Sequence, residues 1–285
     1  MTFSIVGFDA SNGDLGVVVA SKFPAVGVVV PWARAGVGAV ATQAWARTSY
    51  GPEGLTLMER ANCSAPVALE RLVEADDGRD HRQVGMVDAA GRAATFTGTS
   101  CMEWAGGRSG EGYAAQGNIL AGPEVVDAMC RAYESATGDL VDRLLAAVAA
   151  GDGAGGDRRG RQSAALLVVR EAGGYEGYTD RYVDLRVDDH PQAPAELARV
   201  FEAYDRDILI RNDAQLDAGT DLVADLQRRL ARLGRFAGEA SGVYDEATRE
   251  AIAGFAREYN LEGRLRDDDR ISETLVREIR DVTPD

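Results

Sequence analysis

β-forming residues begin at the second position of this chain, and this feature constrains its fold more than any other. Residues 3–6 and 15–20 are rich in the Phe, Ile and Val that favour strands. Between them, residues 9–14 read Asp-Ala-Ser-Asn-Gly-Asp, which is a dense turn signal. The pattern predicts a β-hairpin that places the first residues of the chain in a sheet.

The turn of this hairpin determines which residues lie beside Thr2. If Asn12-Gly13 is a two-residue turn, the antiparallel register pairs Thr2 with Phe23, and a slip of one residue pairs it with Lys22. Either register brings Ser21 and Lys22 close to Thr2. We therefore expect these side chains to share one end of the hairpin.

Thr2 combines a nucleophile and a base if removal of Met1 makes it the first residue. Its hydroxyl could attack a carbonyl carbon while its α-amine, with a reference pKa of about 7.7–8.0, accepts the proton. Lys22 is the single lysine of the chain, and its ammonium could stabilise charge that develops on oxygen. The alternative is that Thr2 is an ordinary strand residue and Lys22 a charge that protects an edge strand from aggregation.

The composition argues against several classes of partner. The chain has 285 residues, a net charge of −15 at pH 7 and 45% hydrophobic residues, which is typical of an acidic globular protein and not of one that binds nucleic acid or an anionic membrane. No apolar run reaches transmembrane length. The first residues lack the basic and apolar regions of a signal peptide, so we expect a cytoplasmic protein.

Cysteine and histidine are too scarce and too scattered to form a recognisable metal motif. The cysteines are Cys63, Cys101 and Cys130, and the histidines are His81 and His190. We predict no metal site, no disulfide framework and no cofactor.

Three stretches of the first half resemble a known family. They are the opening Met-Thr-Phe-Ser-Ile-Val, the run Val19-Ala-Ser-Lys-Phe23, and Val30-Pro-Trp-Ala-Arg-Ala-Gly-Val-Gly-Ala-Val-Ala-Thr-Gln-Ala44. Over residues 2 to 210 the chain is similar to the bacterial and archaeal domain of unknown function 1028 family, which is placed among the N-terminal nucleophile (Ntn) hydrolases, relatives of proteasome β subunits. The resemblance implies an α+β fold, a four-layer αββα sandwich, with a freed N-terminal Thr as the nucleophile.

The predicted elements follow the opening order of such a sandwich. In chain order after the hairpin they are strands over 26–30 and 35–42, helices over 54–61 and from 66, strands over 83–88 and 93–98, a strand ending at 118, helices from 123 and over 138–150, strands over 164–170 and 180–187, and a helix over 194–210.

Several polar residues of this region are candidates for the site. Asn118 precedes the helix from residue 123 and could hold an oxyanion together with a neighbouring backbone amide, or could simply form a turn. Arg34 lies in a turn that approaches the nucleophile in proteasome-like folds, so it is either a second cation near Thr2 or a surface residue. Gln43 ends an apolar strand and either caps the sheet or lines a pocket. Ser21, Arg34 and Gln43 are expected to contact the substrate.

The Gly-rich, charged loop after the helix over 138–150 supplies two further candidates. Proteasome-like sequences carry an Asp and a Ser in a similar position, hydrogen-bonded toward the nucleophilic Thr, and Asp157 and Ser163 are the nearest matches. The resemblance implies that Asp157 orients the N-terminal amine or Lys22 and that Ser163 contacts the substrate. The alternative is a flexible loop whose arginines are solvated or bind a substrate carboxylate.

A second domain is predicted over 212–285, after a first over 1–211, because the composition turns polar near the boundary. The run Leu226-Gln-Arg-Arg-Leu-Ala-Arg-Leu-Gly234 resembles the repeat of the small three-helix peptidoglycan-binding domain. Ala256 and Asn260 replace the Gln and Gly that are usual in that family. We therefore expect a helical docking domain for a protein partner, with binding of a muropeptide as the alternative.

These observations predict an Ntn-type amidohydrolase that cleaves a small amide or peptide-like bond, with Thr2, Lys22, Asn118 and Asp157 as catalytic residues. The hypothesis requires the Lys22 ammonium to lie within reach of Thr2. The competing hypothesis is a non-catalytic binding or scaffold protein of the same fold, whose C-terminal domain docks a partner or a cell-wall fragment. The sequence leaves the substrate and the formation of a homo-oligomer open.

Overall fold

The chain divides into two compact units, one ending at Val200 and the other beginning at Phe201. This division precedes the boundary predicted between residues 211 and 212. The structure, a computed structural model, describes residues 2–61, 63–211 and 213–284. Within these ranges no helix is both long and apolar enough to cross a membrane, and no group of His, Cys, Asp or Glu side chains is arranged to hold a metal ion.

The first unit contains two antiparallel β-sheets. Its strands are β1 (Thr2–Phe8), β2 (Leu15–Ser21), β3 (Pro31–Arg34), β4 (Gly38–Ala44), β5 (Arg82–Asp88), β6 (Ala93–Thr97), β7 (Gly106–Gly110), β8 (Tyr113–Asn118), β9 (Ser163–Val169) and β10 (Arg181–Val187). The six-stranded sheet has the order β10-β9-β2-β1-β8-β7, and the four-stranded sheet has the order β3-β4-β5-β6. The strand that carries Thr2 therefore lies in the middle of its sheet.

β1 and β2 form the predicted hairpin, but in another register. Phe3 pairs with Ala20, which places Thr2 across from Ser21 and not from Phe23 or Lys22. The predicted register is therefore wrong. The shift from Phe23 to Ser21 is an even number of residues. The side chains of β2 therefore face the same side of the sheet as in the register that pairs Thr2 with Phe23.

The loop that joins β1 to β2 explains the difference in register. The Asp9 amide donates to the Asp14 carbonyl oxygen at 2.9 Å, so the turn is longer than an Asn-Gly turn. Inside the loop, the Asp9 carboxylate accepts from the Ser11 amide at 2.9 Å, a local bond that Asp side chains favour. The buried Asp14 carboxylate also accepts bonds of 2.7 Å from Nε and Nη2 of Arg170, which attaches the loop to the end of β9.

Two pairs of helices pack on the sheets of the first unit. α1 (Tyr50–Arg60) and α2 (Ala65–Glu74) contact the four-stranded sheet, whereas α3 (Glu124–Ser135) and α4 (Leu140–Gly153) contact the six-stranded sheet. A fifth helix, α5 (Ala193–Tyr204), follows β10. Buried residues of both sheets form one core cluster that includes Val6, Val17, Val19, Ala41, Val87 and Ala114.

One predicted strand is wrong, and the sequence analysis does not predict β3 or β7. Residues 26–30 contain a 3-10 helix over Val26–Val28 in place of a strand. The Val26 amide donates to Ser163 Oγ at 3.1 Å, so a side chain replaces the ladder partner that a strand needs. The predicted helix over 194–210 is also shorter, because α5 ends at Tyr204 and a π-helical turn follows.

The second unit is helical, as predicted. It contains α6 (Thr220–Arg232), α7 (Glu246–Glu258), α8 (Glu273–Asp281) and a small sheet of β11 (Gln215–Asp217) with β12 (Arg270–Ser272). Ser272 caps α8 by accepting a hydrogen bond from the Leu275 amide at 3.2 Å. The helices share an apolar core that includes Leu226, Leu230, Ile252, Phe255, Leu275 and Ile279.

The buried Asp76 carboxylate connects α1 to the start of β5. It accepts hydrogen bonds from Arg82 Nε at 2.9 Å, from the Tyr50 hydroxyl at 2.8 Å and from the Gly78 amide at 2.9 Å. The hydrogen bond from Arg82 is the main reason that the pKa of the Asp76 carboxyl lies well below its usual range, and the other two bonds add to this effect. Burial alone would raise this pKa. Burial, with the neighbouring carboxylate, raises the pKa of Tyr50.

We predict that Asp76→Asn lowers the free energy of unfolding by about 3 kcal/mol near neutral pH, because buried donors lose their charged acceptor. The folded chain holds the Asp76 pKa below its unfolded value and so binds fewer protons. The contribution is therefore present above about pH 4 and is lost as the pH falls further.

Urea unfolding of the wild type and the variant from neutral to acidic pH measures this difference. Asp77→Asn, at the exposed neighbouring position, is the matched control and should change stability by less than about 0.5 kcal/mol. A difference between wild type and Asp76→Asn that stays constant down to about pH 3 would contradict the assignment.

Candidate functional site

Four polar residues form a row across the six-stranded sheet at the end where β1 begins. Ser163 pairs with Ser21, and Thr2 pairs with Asn118. Thr2 Oγ1 lies 3.1 Å from Ser21 Oγ, which joins the two pairs. We call Ser163, Ser21, Thr2 and Asn118 the polar row. All of them are buried, and Thr2 is 6% exposed.

A second set of polar side chains connects the polar row to the four-stranded sheet. Gln43 of β4 donates from Nε2 to the Thr2 carbonyl oxygen at 3.3 Å and accepts from Ser4 Oγ at 2.7 Å. Gln116 of β8 donates to Ser4 Oγ at 2.7 Å. The Gln43 side chain therefore supports the beginning of β1 from the opposite sheet.

The Gln83 carboxamide is the centre of this network. Its Oε1 accepts from Gln43 Nε2 and from Asn118 Nδ2, at 2.9 Å each. Its Nε2 donates to the Gly117 carbonyl oxygen at 2.7 Å and to Thr97 Oγ1 at 2.9 Å. Because Gln83 lies on β5 and both Gly117 and Asn118 lie on β8, this one side chain links the two sheets. Burial strengthens such a network when its donors and acceptors are satisfied.

The bond to Gln83 limits what Asn118 can do. One of its two Nδ2–H groups is used by that bond, and the amide of the next residue, Ile119, donates to the Met102 carbonyl oxygen at 2.9 Å. α3 begins only at Glu124, so Asn118 does not stand at a helix N-terminus. The predicted oxyanion hole is thus reduced to the second N–H of the Asn118 carboxamide.

Lys22 does not occupy the place predicted for its ammonium. The side chain is exposed, and Nζ donates to the Arg161 carbonyl oxygen at 3.3 Å. Successive residues of a strand face opposite sides of a sheet, so the residue after Ser21 directs its side chain away from the Thr2 hydroxyl. The prediction that this ammonium lies within reach of Thr2 is not met.

Asp157 holds the end of β2 through the backbone of Lys22. Its Oδ2 accepts from the Lys22 amide at 2.8 Å, and its Oδ1 accepts from the Arg159 amide at 2.9 Å. The Arg159 guanidinium also pairs with Oδ2 at 3.2 Å. Asp157 therefore contacts the main chain of Lys22 and not its ammonium, and it fixes the residue that follows Ser21.

Ser163 holds the segment that follows β2. Its hydroxyl donates to the Phe23 carbonyl oxygen and accepts from the Val26 amide at 3.1 Å. Both bonds are made to the backbone. Ser163 therefore supports its neighbour Ser21 from the adjacent strand.

Arg34 lies away from the polar row. It ends β3 and pairs with Gly38 at the start of β4, whereas Gln43 near the end of β4 contacts Thr2. A strand rises about 3.4 Å per residue, so this distance along β4 is about 17 Å. Nη1 of Arg34 pairs instead with Glu59 Oε2 at 2.6 Å. The prediction of a second cation near Thr2 is therefore wrong.

Three members of the network are not among the residues predicted from the sequence, namely Ser4, Gln83 and Gln116. Each is fully buried, and each lies on a strand whose other inward residues are mostly apolar. The signal that could have identified these three residues is an uncharged polar residue spaced by two positions from buried apolar residues of the same strand. Ser4, for example, is two residues before the core residue Val6 and so faces the same side.

Comparison with known families identifies the first unit. Residues 2–197 match the family described as "Family of unknown function (DUF1028)". The chain belongs to the DUF1028 family. This DUF1028 chain is also similar to the crystal structure of protein SPO2555 from Silicibacter pomeroyi, a DUF1028 protein, with 31% sequence identity and a TM-score of 0.66 over 72% of this chain and 86% of that chain.

The second unit matches a different family. Residues 209–278 match the family described as "Putative peptidoglycan binding domain", in agreement with the resemblance noted in the sequence. No curated protein matches the chain.

In this DUF1028 domain we predict that Gln83→Leu lowers the free energy of unfolding by about 3 kcal/mol, because buried Asn118 Nδ2 loses its acceptor and the Gly117 carbonyl oxygen loses a donor. Gln162→Leu is the matched control, since it removes one bond from a partly exposed side chain to Asp189, and it should cost less than about 1 kcal/mol. Chemical denaturation measures both. Similar losses in the two variants would contradict a special importance of the network.

Proposed function

We propose that this protein is an amidohydrolase of the N-terminal nucleophile type, in which removal of Met1 frees Thr2 to cleave a small amide or peptide-like bond. The observation that carries the proposal is the placement of Thr2. The first residues of a domain are poorly ordered unless they are tied down, whereas Thr2 is buried, 3.1 Å from Ser21 Oγ, and bonded from the opposite sheet by Gln43.

The architecture supports the proposal. A pair of helices packs on each sheet, and the two sheets share a buried core. This arrangement agrees with the four-layer αββα sandwich that we propose for the DUF1028 domain. In such a sandwich the nucleophile lies at the end of a central strand, which is the position of Thr2 in β1.

In the proposed reaction, the free α-amine of Thr2 accepts the proton of its own hydroxyl while Oγ1 attacks the carbonyl carbon of the amide. The C–N bond then breaks, the proton passes to the departing amine, and the acyl group remains as an ester on Oγ1. The α-amine next takes a proton from water, whose oxygen attacks the ester. The carboxylic acid leaves and Thr2 is regenerated, so one water is consumed per bond cleaved.

Ser21 and Asn118 are the residues that we propose to contact the reacting atoms. Ser21 Oγ lies within hydrogen-bond distance of the Thr2 hydroxyl and can hold it in the direction of attack. The second N–H of the Asn118 carboxamide can donate to the oxyanion.

Asp157 is a positioning residue in this mechanism, and Lys22 has no chemical role. Asp157 fixes the residue after Ser21 through a main-chain hydrogen bond. The Lys22 ammonium is engaged with Arg161. The proposal therefore gives up the requirement, stated from the sequence, that the Lys22 ammonium lie within reach of Thr2, and relies on the α-amine of an N-terminal threonine as the base.

Intact mass and two variants of Thr2 test the proposal. We expect the purified protein to lack Met1 and, in a screen of acyl-amide and peptide libraries, to release an amine product. Thr2→Ala should lower this rate by about 1,000-fold or more, whereas Thr2→Ser should retain part of it because Ser keeps a hydroxyl and an α-amine. A protein that retains Met1, or equal hydrolysis by wild type and Thr2→Ala, would exclude the mechanism.

A non-catalytic binding protein of the same fold is the second candidate. The observation that favours it is that the Ile119 amide and one N–H of Asn118 are engaged within the protein, which leaves few donors for an oxyanion. Binding of an amide ligand without turnover by either the wild type or Thr2→Ala would support this candidate.

For the second unit we propose binding of a soluble cell-wall peptide that carries carboxylates. Its family match supports a cell-wall partner, and four arginines and one acidic residue, Asp267, line a cavity of about 430 Å³ together with apolar residues such as Ile252 and Leu275. These arginines are Arg249, Arg264, Arg266 and Arg270. Arg270 makes the longest ion pair of the four, at 3.8 Å to the exposed Asp217, and we propose it as the contact for a ligand carboxylate.

Arg270→Glu should weaken binding of a purified muropeptide to the full-length chain by about tenfold or more, because a repulsive charge replaces an attractive one. Arg228→Glu, at an exposed arginine of α6 outside the cavity, is the matched control and should change binding by less than about twofold. Isothermal titration at low and high salt measures both. Equal effects of the two substitutions, or binding of a protein partner but no muropeptide, would contradict the proposal.

A further inference from the structure

A cavity of about 320 Å³ adjoins the polar row. Asn118 lines this cavity and is also the strand partner of Thr2, so the cavity lies one strand away from the proposed nucleophile. Its volume is at the lower end of the roughly 300–1,000 Å³ that is typical of small-molecule sites. The side chains that matter for its chemistry are Trp45, His81, Cys101, Met102, Asn118 and Ile119.

The backbone around the cavity adopts an uncommon conformation at two places. Ala44 and Ile119, which both line it, have φ of +66° and +51°. This left-handed region is unfavourable for residues other than glycine, and most of all for a β-branched residue such as Ile119. Strained backbone of this kind concentrates at functional sites. Ala44 is the last residue of β4 and Ile119 directly follows β8, so both strands end beside the cavity.

The lining of the cavity is uncharged and largely apolar. Of the described residues that line it, none is Asp, Glu, Lys or Arg. Trp45 and Met102 are large apolar side chains, yet they are 70% and 65% exposed. The Trp45 ring meets His81 edge to face, with 5.4 Å between ring centroids. The Cys101 thiol donates to the Arg82 carbonyl oxygen, and burial raises its pKa, so it remains a neutral thiol.

We propose that this cavity binds an uncharged aromatic ring beside the scissile bond, so that the substrates are amides that carry an aromatic group. Trp45 and Met102 offer a ring face and a thioether, both of which favour contact with an aromatic group. A carboxylate or an ammonium would lose its hydration there without gaining a partner of opposite charge. The assignment of the ring to a substrate rests on the proposed function of Thr2, whereas the binding of the ring does not.

Binding is tested with N-acetyl-L-phenylalaninamide as the aromatic probe and with N-acetyl-L-lysinamide and the amide of N-acetyl-L-glutamate as charged probes. Ligand-observed NMR on the full-length Thr2→Ala protein measures affinity without turnover. We expect the aromatic probe to bind about tenfold more tightly than either charged probe. Trp45→Ala should weaken its binding about tenfold, as truncation of an aromatic anchor commonly does.

Tyr178→Ala is the matched control, because Tyr178 is an exposed aromatic residue that does not line the cavity. It should leave the affinity unchanged within about twofold. Cys101 provides a second readout, since Cys63 and Cys130 are buried and Cys101 is partly exposed. The aromatic probe should slow alkylation of Cys101 by iodoacetamide, followed by intact mass at about pH 9, where more of the thiol is ionised.

The proposal is overturned if a charged probe binds as tightly as the aromatic one, if Trp45→Ala leaves binding unchanged, or if saturating aromatic probe does not protect Cys101. These outcomes are separate from the fate of Thr2. Aromatic binding together with equal hydrolysis by wild type and Thr2→Ala would retain the cavity and reject the nucleophile. Hydrolysis that needs Thr2 but shows no higher kcat/KM for aromatic than for charged amides would retain the nucleophile and reject the aromatic specificity.

Discussion

The hydrogen bonds of the Gln83 carboxamide are the interaction on which the candidate site depends. Apolar contacts between the two sheets, such as those of Val6 and Ala41, are non-directional and would tolerate small shifts. The Gln83 carboxamide accepts from Gln43 and Asn118 and donates to Gly117. These bonds do not tolerate such shifts, because hydrogen bonds weaken steeply when their geometry changes. The network therefore determines how the end of β8 lies against β4 and, through Gln43, where Thr2 is held.

Much of this fold could be predicted from local patterns in the sequence. The hairpin, most later strands and the helices of the first unit follow from β-forming runs and helical periodicity, and the helical character of the second unit follows from its resemblance to a three-helix domain. The register of the first hairpin could not be predicted in this way. It depends on the Asp9–Asp14 main-chain bond and on the contact of Asp14 with Arg170, a residue far away in sequence, whereas a turn signal reports only its immediate neighbours.

The same limit explains which of the residues proposed for the site lie together in the structure. Thr2, Ser21, Asn118 and Ser163 come together because each lies opposite the next on adjacent strands, and residues that lie opposite one another share a face of the sheet. A shift of the register by two residues leaves each side chain on the same face. Lys22 follows Ser21 directly and so belongs to the other face. Its charge suggested a cation close to the Thr2 hydroxyl. Because Ser21 is the residue across from Thr2, the alternation of side chains rules out that position for Lys22.

The position of the charges also determines how Thr2 could react. Asp157 is paired with Arg159, the Thr2 hydroxyl lies beside the neutral Ser21 hydroxyl, and the Thr2 carbonyl oxygen accepts from the neutral Gln43 side chain. Burial in such surroundings disfavours a charged ammonium relative to a neutral amine. An α-amine freed at this position would thus meet the condition for a general base without help from a neighbouring cation. The distance of Lys22 from Thr2 therefore simplifies the proposed chemistry. Neither a lysine nor a carboxylate beside Thr2 is needed for its α-amine to accept the hydroxyl proton.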